Sequence, residues 1–448
     1  MLDINLIRTD SKGIAAALCK RGVKVDFKEV LELDTHKREQ QTKLENLRAE
    51  RNRASDEIGK TADKAERAKK IAATKELGEK LGHLETKVRE LDAKLFELLA
   101  GIPNTPLPEV QAGDKEQNKV VKTFGKQPKF DFKPLDHVEL CTRLGLVDYE
   151  RGAKMSGARS WVYTGMGARL EWALLNYMID FHMSNGFELI MPPHLLNYES
   201  GYSAGQFPKF VDDVFVTSVG DEKSPAPTNP SFRFLLPTSE TALINMHRDE
   251  IIPADKLPIK YAGFSPCYRK EAGGYRTSER GMIRGHQFHK VEMFAFAKPD
   301  QSMNIFKEFV RNAEKLVEGL GLHYQTMALA AGDVSASMAI TYDIEVFIPS
   351  MSGENGGYKE VSSCSNAMDY QARRANIRTR LVDPVGANDM GKVRSTPTGS
   401  TSFVHTLNAS GLATSRILPA IVEQFQTKDG HVRVPEVLQK YLGGIKEI

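Results

Sequence analysis

Between residues 267 and 294 the chain reads CYRKEAGGYRTSERGMIRGHQFHKVEMF, a window dense in arginine, glutamate, lysine and histidine and without helical spacing. Arg269 and Glu271 stand two apart just before an Ala-Gly-Gly turn. On a strand, that spacing sends both side chains to one face. A guanidinium held there takes a phosphate or carboxylate through two hydrogen bonds, and the carboxylate accepts from an amine. Arg280 and Arg284 return from the turn, and HQFHKVEMF alternates like an outgoing strand. Such a strand–loop–strand makes a floor for a triphosphate. The rival reading is a solvated basic hairpin.

A second cationic position strengthens the first reading. In GLATSRILPAIVEQFQ, 411–426, Arg416 stands near the head of an amphipathic helix, where the helix dipole favours anions. On its own Arg416 would more often be structural. Metal-centred chemistry built on soft ligands has little support: His286 and His289 have no third ligand nearby in sequence, and Cys19, Cys141, Cys267 and Cys364 form no CxxC pair. No zinc and no disulfide frame are expected. Arginines and glutamates without a nucleophile–base arrangement suit a reaction driven by positioning and charge neutralisation.

The elements that must hold these residues fall into two compositional zones. At 448 residues the chain has room for two or three domains. Its net charge of +3 confines any nucleic-acid contact to a local basic surface. No apolar run approaches the ~18 residues of a membrane span, and the start, MLDINLIRTD, lacks the features of a signal peptide. The expectation is a cytoplasmic protein with no membrane partner. From about Asp26 to Ala100 the composition turns to Ala, Glu, Lys, Leu and Arg, and Leu77, Leu81, Leu84, Val88, Leu91, Leu95 and Leu98 recur at heptad spacing. Leu44, Leu47, Ala54 and Ile58 give a compatible earlier seam, with room for a reversal between the two. The pattern predicts two long helices folded back on one another, ending at the proline-marked GIPNTPLPEVQAG. From His36 to Phe96 there are 16 Lys and Arg against 12 Asp and Glu, a mild basic excess. Beyond Phe124 the chain is mixed: GARLEWALLNYMIDFHMSNG reads as a helix, while FELIMPP, IKYAGFSP, VEMFAFA and YDIEVFIP read as strands. Long connections between them favour an antiparallel α+β sheet flanked by helices, with 218–231 as a polar surface loop.

At this point the residues resemble a known family, over nearly the whole length. The chain is similar to class II aminoacyl-tRNA synthetases and specifically resembles seryl-tRNA synthetase. FELIMPPHLL, with Pro193, resembles motif 1, the dimer-forming motif; YRKE through GHQFHKVE resembles motif 2; GLATSR resembles motif 3. PTSE (237–240), EVSSCSNAMDYQARR (360–374) and FVHTLNAS (403–410) are more diagnostic of the serine enzyme than the arginines. The resemblance implies a tRNA-binding N-terminal domain with an antiparallel coiled-coil arm over 1–105, a linker over 106–125, and a class II catalytic domain over 126–448. Motif 1 then lies around 172–193, motif 2 around 264–294 and motif 3 around 411–426.

Carried over residue by residue, the resemblance gives Thr238 and Glu240 to the serine amino group, and Glu292 with Ser410 to its hydroxyl. Arg269 bridges the serine carboxylate and the α-phosphate, Glu271 reads the adenine amine, and Phe288 stacks on the purine. Arg280 and Arg416 grip the outer phosphates, while Glu360 and Ser363 sit by ATP and its Mg2+. Arg269, Glu271 and Arg416 are the expected catalytic groups. The implied reaction is ATP-dependent formation of seryl-adenylate and transfer of serine to tRNA(Ser), in a homodimer; service to tRNA(Sec) is left open. Two rivals stand beside it: a synthetase-like ligase with another acceptor, and a catalytically inactive tRNA-binding paralogue. Each residue also has a plainer reading, Glu240 as a helix-start glutamate and Phe288 as core. The motif 2 loop, AGGYRTSERG, departs from the family pattern with Arg276 displaced by one position.

Overall fold

The computed structural model describes residues 1–219, 226, 229–271, 281–351, 356–380 and 400–448. The chain divides into two compact units: Met1–Cys19 with Val23–Pro103, and Lys20–Gly22 with Asn104–Ile448.

The first unit is helical throughout: α1 (Ile4–Cys19), α2 (Lys28–Lys60) and α3 (Lys64–Gly101). With no proline in the long helices, nothing interrupts them until Thr61 and Asp63 adopt extended backbone. The Asp63 carboxylate then caps α3 by accepting from the Glu66 N–H at 2.8 Å. Cross-helix ion pairs show the pairing to be antiparallel, because the partners advance in α2 as they retreat in α3: Lys37 with Asp92, Arg48 with Glu85, Glu57 with Lys70. These pairs are solvent-exposed and contribute register more than stability. Leu44, Leu81, Leu91, Leu95 and Leu99 are buried along the seam. The heptad reading placed Leu98 there, but Leu99 takes the position. A straight helix turns at 3.6 residues, so a strict seven-residue repeat drifts round its face.

The second unit is built on an eight-stranded sheet. Its strands are β1 (Lys119–Phe124), β2 (Glu188–Ile190), β3 (Ile259–Tyr268), β4 (Gln287–Ala297), β5 (Tyr324–Ala328), β6 (Ile340–Ile348), β7 (Gly357–Met368) and β8 (His405–Ala413). They lie in the order β1-β5-β6-β7-β8-β4-β3-β2, every pair antiparallel except β2 with β3. The expected α+β architecture is therefore present. One reading needs correction: the 106–125 stretch, taken as linker, supplies the edge strand β1. Phe124 there stacks on Tyr324 at 5.5 Å between ring centres. Proline-rich neighbours hid this strand, and its lysines suit an exposed edge.

Helices Gly165–Ser184 (α4), Ser302–Gly319 (α5) and Thr414–Gln424 (α6) pack on the sheet. Leu174, Met178, Phe309, Leu316, Leu418 and Ile421 share one core with Val291, Met293 and Ala295 of β4. Phe294 and Phe296 belong to a separate core cluster. Period-2 alternation therefore turns Phe288, Lys290 and Glu292 away from the helical layer. On β8 the same rule buries Leu407 and Ala409 in the helical core and turns Asn408 and Ser410 the other way.

Gly411 fits its place in β8 because His182 of α4 lies against it. The His182 ring is fully buried, with Nε2 3.2 Å from the Gly411 carbonyl. A Cβ at 411 would stand 2.1 Å from that nitrogen. Gly411→Ala is expected to lower the unfolding free energy of the protein by about 1–3 kcal/mol through overpacking. Denaturant titration of parent and variant measures it.

Candidate active site

The sheet face opposite the helices floors a cavity of about 480 Å³, lined among others by Thr238, Glu240, Arg269, Glu292, Glu360 and Ser410. Its deepest part is an acidic pocket. Glu240 opens the short helix Glu240–Leu243, and Glu292 projects from β4; they are 7% and 1% exposed. Both accept from one amide: Asn408 Nδ2 lies 3.2 Å from Glu240 Oε2 and 3.2 Å from Glu292 Oε1. Gln371 Nε2 donates to Glu240 Oε1 at 2.6 Å, and the Gln371 carbonyl is itself held by Thr406 Oγ1 at 2.6 Å. Lys290 ion-pairs with Glu292 and donates to Thr238 Oγ1 at 2.8 Å. Burial first, then the charge of Glu292, push the Glu240 carboxyl up to about 7; Gln371, Lys290 and Arg269 act the other way. A pocket so arranged favours a ligand carrying an ammonium and a hydrogen-bond donor.

Beside this pocket lies the guanidinium of Arg269, which donates from Nε to the Pro237 carbonyl at 3.3 Å and stands 5.3 Å from the centre of the Phe288 ring. Strand alternation is not what brings Arg269 and Glu271 to the site. β3 ends at Tyr268, and Glu271 has a left-handed φ of 54°. The Glu271 carboxylate accepts from Arg284 Nε at 2.5 Å, and its carbonyl accepts from Arg159 Nη1 at 2.9 Å. The expectation that Arg284 returns to this region holds. The Phe288 ring packs against the core around Phe234 and Cys267, as its plainer reading has it, and also lines the cavity that Arg269 and Arg416 line.

The third corner joins β7 to α6. Arg416 Nη1 donates to the Glu360 carbonyl at 2.7 Å and lies 3.4 Å from its carboxylate. Burial favours the protonated form of Glu360, but Arg416, then Arg269, hold its carboxyl below the ordinary value. Glu360 and Ser363 are three apart, which plain alternation would send to opposite faces. Between them the pairing of β7 with β6 shifts register, Ile344 facing Ser362 and Glu345 facing Glu360. That irregularity lets both side chains line the cavity. A carboxylate and a hydroxyl are hard oxygen donors that fit a Mg2+ whose remaining ligands come from phosphates and water. Among the described residues there is no cluster of three or more His, Cys, Asp or Glu arranged to hold a metal by itself.

Ten of the eleven residues singled out from the sequence, Thr238, Glu240, Arg269, Glu271, Phe288, Glu292, Glu360, Ser363, Ser410 and Arg416, line this connected system. Arg280 lies outside the described residues. Four further residues escaped sequence reasoning: Lys290, Gln371, Asn408 and Asp343. Asp343 faces Ser363 across β6 and β7; burial, then the charge of Glu360, hold its carboxyl well above the ordinary range. Lys290 was legible in principle, sharing the strand face of Phe288 and Glu292.

Comparison with known proteins bears on this geometry. Residues 1–106 match the seryl-tRNA synthetase N-terminal domain, and 229–425 match the tRNA synthetase class II core domain (G, H, P, S and T). Serine--tRNA ligase 2 of Clostridium acetobutylicum is 50% identical over 445 residues, covering 99% of each chain. Serine--tRNA ligase of Geobacter sulfurreducens is 41% identical over all of both chains. Among solved structures, seryl-tRNA synthetase from Pyrococcus horikoshii complexed with ATP superposes with a TM-score of 0.84 at 34% identity, over 100% of this chain and 99% of that one.

The raised Glu240 carboxyl has a consequence for stability. Its ordinary value is 4.5 and its folded value about 7, so the folded state holds a proton that the unfolded state releases between them. Stability is thus lost as pH rises through that window, by up to about 3 kcal/mol. Glu240→Gln is expected to be more stable than the parent at pH 8, with the advantage shrinking towards pH 4.5. Denaturant melts at the two pH values measure this, and a variant less stable at pH 8 would contradict it.

Proposed function

The chain belongs to the seryl-tRNA synthetase family, and from that premise we infer that it joins L-serine to tRNA(Ser) at the expense of ATP. In the first step a serine carboxylate oxygen attacks the α-phosphorus of ATP, forming seryl-adenylate and releasing pyrophosphate. In the second, a ribose hydroxyl at the tRNA 3′ end attacks the seryl carbonyl, its proton is lost, and AMP departs. The observation that carries this reading is the acidic pocket of Glu240, Glu292 and Asn408 opening onto Arg269.

The serine ammonium meets Glu240 and Thr238, and its entry relieves two carboxylates held close together. The hydroxyl donates to Glu292, with Ser410 beside it. An analogue without the hydroxyl leaves a buried carboxylate short of a partner, a penalty that supports discrimination of ~10⁴-fold or more. Arg269 takes the serine carboxylate and the α-phosphate together, which brings the reacting atoms into contact and offsets their repulsion. Phe288 backs the adenine, Glu271 reads its amine, and Arg416 with Arg280 neutralises the phosphates. Glu360 and Ser363 would hold Mg2+, which would supply positive charge against the phosphates.

The antiparallel helices α2 and α3 form the arm that receives the tRNA, through shape and backbone contacts and with the salt dependence of such contacts. The catalytic unit extends from Asn104 to Ile448 and includes β1 as the edge strand of its sheet. A homodimer completes the reading: Trp172, Met183 and Met191, in and just after α4, are 58%, 52% and 73% exposed, an apolar exposure that suits a covered face. Among the described residues no helix is long and apolar enough to cross a membrane, and we place the reaction in the cytoplasm.

ATP–pyrophosphate exchange tests the reading. The parent is expected to exchange only with serine, with kcat/KM for alanine lower by ~10⁴-fold. Arg416→Ala is expected to slow exchange by ~10²-fold or more, as loss of one preorganised charge does elsewhere. Exchange without added serine, or equally with alanine, would overturn it.

A further inference from the structure

Lys290 is 4% exposed, and a lysine that deep needs partners for its amine. Its side chain leaves β4 on the same face as Phe288 and Glu292. The pairing of β4 with β8 shifts register between Lys290 and Glu292, Lys290 facing Ala413 and Glu292 facing Ser410. Its ammonium ion-pairs with Glu292 and donates to Thr238 Oγ1 at 2.8 Å. These are two of the groups that receive the amino acid in the reading above, on which this inference rests.

We propose that Lys290 is a positioning residue for serine recognition: its buried ammonium fixes Thr238 and Glu292 in their receiving orientations and balances one of the two pocket carboxylates. Each contact leaves capacity for the substrate. Thr238 uses one lone pair to accept from Lys290 and keeps another for the serine ammonium. Glu292 uses Oε2 for Lys290 and Oε1 for Asn408, and each oxygen retains a lone pair for the serine hydroxyl. The bond from Lys290 also fixes the Thr238 hydroxyl rotor, which nothing in the sequence pattern would otherwise hold.

The charge count gives the same answer. Before serine arrives, the pocket holds Glu240 and Glu292, facing Lys290 from β4, Arg269 beyond β3, Glu360 from β7, and the thiols Cys267 and Cys364 from β3 and β7. Remove Lys290, and the two carboxylates keep the amides of Asn408 and Gln371 but only Arg269 as a positive charge beside them. The proton that Glu240 already tends to keep is then held more tightly, and an ammonium finds a neutral partner.

Steady-state pyrophosphate exchange at pH 6 to 9 on the full-length parent, Lys290→Met and Lys290→Arg tests the proposal. Lys290→Met is expected to raise the serine KM by ~50-fold or more while the ATP KM stays within ~3-fold, and to move the acid limb of kcat/KM for serine upward by about one pH unit. Lys290→Arg, keeping the charge on a differently shaped donor, is expected to keep the parental acid limb while raising the serine KM by ~10-fold. A serine KM within ~3-fold of the parent in either variant, or serine and ATP KM rising together, would overturn the role of Lys290. A parent without serine-dependent exchange would overturn the functional reading along with it.

Discussion

Two carboxylates buried against a single amide set the terms for the whole catalytic unit. Glu240 and Glu292 both accept from Asn408 Nδ2, and neither has water enough to be solvated as an isolated charge. Left alone, such a pair would take up a proton or splay apart. Around it the chain supplies Gln371, which donates to Glu240, and the charges of Lys290 and Arg269, while Thr238 accepts from Lys290. The pocket is held in a state that is electrostatically unfinished, and an amino acid with a hydroxyl finishes it. Stability is given up at Glu240, whose buried carboxyl is pushed up to about 7.

The sheet exists, in functional terms, to hold that arrangement still. Strands β4, β7 and β8 lie side by side and carry Lys290, Glu292, Glu360, Ser363, Asn408 and Ser410. Their other face is locked into the helical core through Val291, Met293, Val361, Cys364, Leu407 and Ala409. Alternation explains most of this placement, and a register shift in β7 explains Glu360 with Ser363. The two arginines beside the pocket, by contrast, come from a strand end and a helix head. Arg269 follows β3, and Arg416 opens α6.

The sequence made much of this visible, unevenly. The two long helices declared themselves through leucine spacing and the absence of proline, and the antiparallel sheet through short apolar runs with long connections. β1 stayed hidden because its pairing with β5 is a long-range fact written nowhere near Lys119–Phe124. Glu240 and Glu292 are legible only through motif resemblance, since a buried glutamate looks like any other in one dimension, whereas Arg416 stands out at the head of its helix. Gln371 and Asn408 act on other side chains, partners that distance alone reveals, whereas Lys290 shares a strand face with Phe288 and Glu292. Arg269 and Glu271 share the site without strand alternation: β3 ends at Tyr268, and the left-handed backbone of Glu271 turns it to Arg284.

The central claim is that serine completes the charge of a pocket whose Glu240 carboxyl sits near neutrality. Calorimetric titration of the protein with L-serine at pH 7, in buffers of different ionisation enthalpy, measures the protons released on binding. The account predicts release of about half a proton per serine bound, as the incoming ammonium drives Glu240 to its charged form, and none in Glu240→Gln. Binding heats in the parent that do not depend on the buffer would contradict it.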